Sequence, residues 1–163
     1  MNTVFNADEV FEVAERIEIN GSIFYQKAAQ MDAPTPTRML LMDLAAMEEK
    51  HRKTFADMRA HLGQKERGGI EIDPEGEAAA YLRAMADSRI FHTPPASFFT
   101  GNENIKDVLE RAISLEKESI VFYVGMMDAV PAEMGKFRIA DIIKEEMRHV
   151  TILSSELSAR MKD

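Results

Sequence analysis

Residues 14–25 (AERIEINGSIFY) and 112–123 (AISLEKESIVFY), 98 positions apart, both open with Ala, carry Glu at the fifth position and close with Phe-Tyr. The same offset pairs Val10 with Val108, Glu12 with Glu110, Glu18 with Glu116, and Phe24-Tyr25 with Phe122-Tyr123. Further along it pairs Asp43 with Asp141, Glu48 with Glu146 and His51 with His149. A pattern written twice predicts two like halves related by a near-twofold axis. Polar residues that repeat are then expected to converge where the halves meet.

Each half reads as a helical hairpin. Asn6 followed by Glu9 makes a capping box, and Phe11, Ala14, Ile17, Gly21, Phe24 and Ala28 keep a helical beat. The prolines of MDAPTPT end that helix, and Thr35-Pro36 opens a second one that is expected to run to Gly63. Its apolar face is read as Met39, Leu40, Leu44, Met47, Phe55, Met58 and Leu62. After TGNEN a third helix spans roughly Ile105 to Ala129, and a fourth begins near Pro131 and continues almost to the C-terminus. Helices of about 25 residues are about 38 Å long, which suits a four-helix bundle. No segment shows convincing strand alternation.

The links set the topology. APTP and AVPAE are short, whereas residues 64–103 are far too many for a hairpin turn. That stretch contains a further helix in DPEGEAAAYLRAMADSRIF, with Asp73 as its cap and Pro74 at its first position. The expected fold is all-α and forms a single domain over residues 1–163. Two antiparallel hairpins, at about 7–63 and about 104–162, are joined by a crossover that makes the second and third helices parallel.

Composition removes several classes of function. The 163 residues are 45% hydrophobic and 29% charged, the profile of a soluble globular chain. A net charge of −8 argues against a nucleic-acid partner, which needs basic clusters. No apolar run approaches the roughly 20 residues of a membrane span, and the acidic N-terminus has no signal-peptide layout, so a cytoplasmic location is expected. With no cysteine there is no disulfide, thiol catalysis or iron–sulfur cluster. Metals remain open, because carboxylate and imidazole alone can hold hard or borderline ions. The 12 methionines read as adaptable core filling.

The chemistry lies in the repeated polar residues. MEEKH places Glu48 three residues before His51, and EEMRH places Glu146 three residues before His149, each pair on one helical face. In each half a further glutamate, Glu18 or Glu116, lies 30 residues upstream of the Glu-x-x-His glutamate. Glu18 falls among Ala14, Ile17, Gly21 and Phe24, and Glu116 among Ala112, Leu115 and Ile120. A single Glu-x-x-His is a common solvated pair. Two of them, each with a core-facing glutamate at the same distance inside a repeat, are a specific signal. Four buried carboxylates repel one another and raise each other's pKa values unless cations neutralise them. Two divalent ions cancel the four charges, and two imidazoles complete the donor set.

These motifs resemble the ferritin-like superfamily, in particular rubrerythrin-type di-iron proteins without a rubredoxin domain. The likeness covers both hairpins and extends to AYLRAMADSRIF in the crossover. It implies two iron ions, with manganese or a mixed pair as the alternative. Glu18 and Glu116 would be terminal ligands, Glu48 and Glu146 would bridge the metals, and His51 and His149 would each cap one. The implied activity is that of a non-haem di-iron oxidoreductase that binds and reduces O2 or H2O2. A ferroxidase or an iron-handling or storage protein using the same residues is the alternative. Electrons would come from a separate donor protein or small reductant, and such proteins commonly form homodimers. The PPASFF stretch, with Phe98 and Phe99, is the candidate contact for that pairing.

One departure bears on the reaction. Rubrerythrins carry an extra glutamate one turn after the third-helix ligand, where this chain has Ser119, matched by Gly21 in the first half. A symmetric site nearer the bacterioferritin pattern is therefore expected, with the small residues leaving room for dioxygen or peroxide. Tyr25 and Tyr123, seven residues after Glu18 and Glu116, are expected to orient ligand carboxylates by hydrogen bonding. Asp43 and Asp141 read equally as surface or capping residues. Glu145 could accept the ring N–H of a ligand histidine, although its counterpart is Met47. His61 and His92 have no partner at ligand spacing.

Overall fold

The computed structural model describes residues 6–63, 76–86 and 93–162. Helix α1 (Ala7–Ala28) opens with the expected capping box, in which Asn6 accepts from the Glu9 amide and Glu9 accepts from the Asn6 amide. Helix α2 (Thr35–Ala60) begins at Thr35-Pro36 as predicted and stops three residues before Gly63. Helix α3 (Glu77–Ala86) lies in the crossover, while Asp73 and Pro74, read as its start, fall outside the described residues, as do residues 87–92. Helix α4 (Ile105–Ala129) has a second capping box, Asn104 with Asp107. Helix α5 (Lys136–Arg160) starts later than Pro131, because residues 132–134 form a 3-10 turn and Gly135 follows with φ of 89°. That left-handed conformation suits glycine and breaks the helix at its expected beginning.

The apolar side chains form two separate plugs. One gathers Phe11, Phe55, Phe122, Met126 and Ile139 with their neighbours, and the other gathers Phe24, Leu41, Leu44, Leu109 and Leu153. Helices α1 and α5 run from the first plug to the second, and α2 and α4 run from the second to the first. The second and third bundle helices are therefore parallel, as the long crossover requires. The closest backbone packing lies within each hairpin, α1 with α2 and α4 with α5. Phe55 and Tyr123 meet across the hairpins with ring centroids 5.1 Å apart. Between the plugs all four helices leave one layer of polar side chains.

Two expectations about apolar residues are corrected. Met39 is 63% exposed, since it lies on the far side of α2 from Leu41, Leu44 and Glu48, and Met42 and Met147 are also exposed. The methionines are thus divided between core, such as Met58 and Met126, and surface. Phe98 and Phe99 are each half-buried. A 3-10 turn (Pro95–Phe98) packs them against Phe24, with centroid separations of 5.7 and 5.2 Å, and leaves part of each ring exposed. Among the described residues no helix is long and apolar enough to cross a membrane.

Candidate metal centre

The layer between the plugs contains the six residues singled out by the repeat. Glu18 comes from α1, Glu48 and His51 from α2, Glu116 from α4, and Glu146 and His149 from α5; each is at most 4% exposed. They form two overlapping groups, Glu18, Glu48, His51 and Glu146, and then Glu48, Glu116, Glu146 and His149. Within each group one ligand atom per residue lies within 4.8 Å of all the others. Glu48 and Glu146 belong to both groups, which is the position a bridging carboxylate must take. Glu146 divides its oxygens between the halves, with Oε1 3.0 Å from His51 Nδ1 and Oε2 2.8 Å from His149 Nδ1.

The donor atoms crowd into one small region. His51 Nδ1 lies 3.6 Å from Glu18 Oε2, and His149 Nδ1 lies 3.2 Å from Glu48 Oε1 and 3.3 Å from Glu116 Oε1. Despite these approaches, both Nδ1 atoms, both Glu146 oxygens, Glu18 Oε2 and Glu48 Oε1 are buried without an aligned hydrogen-bond partner among the described residues. Buried polar atoms without partners are costly, and several at one point mark a place for an ion. Four carboxylates and two imidazoles also match in charge and donor type what two divalent cations take. The residues fit a dinuclear metal group.

The surroundings hold these side chains in place. The Tyr25 hydroxyl, on α1, donates to Glu116 Oε1 on α4, and the Tyr123 hydroxyl, on α4, donates to Glu18 Oε1 on α1. Each tyrosine thus orients the carboxylate of the opposite hairpin. Burial, reinforced by the Glu116 charge at Tyr25 and the Glu18 charge at Tyr123, pushes both phenols well above their usual range and keeps them as donors. Gly21 has a packing role of its own, since a Cβ there would stand 3.0 Å from Glu48 Oε2. Asp43 and Asp141 are exposed, and the exposed His61 takes no part. His92 lies outside the described residues.

The near-twofold symmetry is broken at the histidines. His51 Nε2 lies 2.8 Å from Glu145 Oε2, a quarter-exposed carboxylate that fixes the ring from behind. On the other side the counterpart of Glu145 is Met47, and His149 Nε2 is buried with no partner among the described residues. The sequence pointed to Glu145 only through its place next to Glu146; comparison of the two halves argues against it, because the repeat lacks this contact.

Without metal the imidazoles serve as the counter-ions. Burial disfavours their charged form, yet the carboxylates of Glu146 and Glu18 raise His51 to about 11, and those of Glu116, Glu146 and Glu48 raise His149 to about 12. Burial and then the Glu48 and Glu116 charges raise Glu146 to about 7; burial and the Glu146 charge raise Glu18, and burial with Glu116 and Glu18 raises Glu48.

The whole-chain architecture has a known counterpart. A crystal structure of a Thermotoga maritima protein, described provisionally as a ferritin-like diiron-carboxylate protein, superposes with a TM-score of 0.68 at 22% identity. The match covers 94% of this chain and 95% of that one. The fold is ferritin-like. No protein-family model matches the chain, and no curated protein matches it.

Two predictions follow from the charges and from the broken symmetry. The native metal-free state binds more protons than the unfolded chain, at Glu146 between 4.5 and about 7 and at the histidines between 6.5 and about 11–12. Its stability therefore falls as pH rises through these windows. Metal needs the Nδ1 atoms free of protons, so loading releases protons and gains affinity with pH. The gap in Tm between metal-loaded and metal-free protein should widen from pH 6 to pH 9 in differential scanning calorimetry; a constant gap contradicts the charge assignment. Glu145→Gln should weaken one of two metal-binding steps by about 10–100-fold and leave the other unchanged, as measured by competition with a chelator.

Proposed function

We propose that the chain is a non-haem di-iron oxidoreductase that binds and reduces O2 or H2O2 at Glu18, Glu48, His51, Glu116, Glu146 and His149. The observation that supports this reading most is the sharing of Glu48 and Glu146 between two otherwise separate ligand groups. When bound, the iron pair supplies the electron-transfer chemistry. The protein supplies the rest. Two apolar plugs keep bulk water from the layer, Tyr25 and Tyr123 hold Glu116 and Glu18 in orientation and retain their own protons, and Glu145 fixes the His51 ring. Electrons come from a separate protein or a small reductant.

Ser119 bears on which oxidant is used. Its hydroxyl donates to the Leu115 carbonyl at 3.0 Å, one turn back on α4, so it is engaged with its own helix rather than with the ligand carboxylates. Among the described residues, neither ligand group then has a spare carboxylate. The reduced protein should react with O2 and with H2O2 at comparable rates in anaerobic stopped-flow mixing. Ser119→Glu adds a carboxylate one turn after Glu116 and should shift the preference toward peroxide. A large peroxide preference in the unaltered protein would overturn the symmetric reading. Sustained turnover of added Fe(II), without turnover of an electron donor, would replace the oxidoreductase with a ferroxidase.

A further inference from the structure

Beside the metal centre, between α1 and α4, lies a cavity of about 210 Å³. Glu48 and Glu116 form part of its wall, so its inner end reaches two of the proposed ligand carboxylates. Ile17, Phe24, Leu115 and Phe98 make the rest largely apolar, and Pro94 and Pro95 of the crossover line its outer side, where it is partly open. Gly21 and Ser119 also line it. The two small residues of the repeat therefore open space on the same side of the site. Any larger residue at 21 would meet Glu48, and a larger residue at 119 would enter the cavity.

The volume exceeds what the oxidant needs. A water molecule accounts for about 30 Å³ of liquid volume, and dioxygen or peroxide has only two heavy atoms, whereas an apolar cavity of about 150 Å³ is enough to bind benzene. The space here suits an aromatic body somewhat larger than benzene. At its polar edge stand Arg111 and Glu118, whose Nη1 and Oε1 atoms are 3.5 Å apart. Glu118 Oε2 is buried and has no hydrogen-bond partner among the described residues. A buried carboxylate oxygen in that state is satisfied by an N–H or O–H donor.

We infer that this cavity is a binding site for a small aromatic molecule of about ten non-hydrogen atoms that carries one N–H or O–H donor directed to Glu118. The ring lies among Phe24, Phe98 and Leu115, with one edge toward Glu48 and Glu116. Such a ligand is a second molecule beside the oxidant. This inference goes beyond the reduction proposed above and does not require it.

Indole is the probe, because it has the right size and a single N–H, and because the chain has no tryptophan to obscure its fluorescence. Metal-free and zinc-loaded protein should each give a saturable blue shift of indole emission, with a dissociation constant on the order of tens of micromolar. 1-Methylindole, which lacks the donor, should bind about tenfold more weakly. Glu118→Leu should abolish that difference between the two probes. Ser119→Phe should remove binding by filling the space, and Ser97→Phe, which fills it from the crossover, gives the same readout if the first variant does not fold. Metal content and melting temperature of the variants serve as controls. No saturable shift up to about 1 mM indole, or binding unchanged in a folded filling variant, overturns the inference. Metal binding without indole binding removes this site alone, and indole binding without metal binding removes the redox reading alone.

Discussion

Four carboxylates confined between two apolar plugs cannot all remain ionised without positive charge next to them, and the rest of this structure follows from that constraint. Each helix of the bundle contributes to the layer, and none could bury its glutamate alone. The tyrosines cross from one hairpin to the other and are satisfied only when both hairpins are docked. Histidines at Nδ1 distances of 2.8 to 3.6 Å from the carboxylates supply charge when protonated and offer a lone pair when not. The same atoms thus hold the fold together without metal and make up the donor set that fits it.

The repeat makes the site nearly symmetric, and the departures from symmetry are where its individual chemistry lies. Glu145 against Met47 gives one histidine a carboxylate behind it and leaves the other without. Gly21 against Ser119 sets a close approach to Glu48 on one side and a hydroxyl held by its own helix on the other. Both departures are single-residue differences at positions next to the repeated polar residues. They make the two ligand groups inequivalent, while the smallness that Gly21 and Ser119 share opens space beside them.

The bundle and its polar layer were legible in the sequence because each rests on short-range patterns. Link lengths fixed which helices run parallel, and the doubled Glu-x-x-His with its upstream glutamate marked which residues meet. Features that depend on distant segments were not legible. The packing of Phe98 and Phe99 against Phe24 depends on how the crossover folds back over α1, which PPASFF alone does not encode. The cavity was invisible for the same reason, since its walls come from α1 and α4 and its cover from the link between hairpins. Met39 was misplaced because a helix of 26 residues offers more than one plausible apolar stripe, and packing against α1 chose another. The fourth helix began late because a glycine in a left-handed conformation overrides the helix-starting signal of Pro131.

The central claim is that the two ligand groups are two metal positions joined by Glu48 and Glu146. Anaerobic titration of the metal-free protein with Fe(II), read by bound metal per chain, tests it most directly. Two equivalents should bind to the unaltered protein, and His51→Ala and His149→Ala should each weaken one of the two while the bundle stays folded by circular dichroism. Metal content untouched by both substitutions would contradict the account.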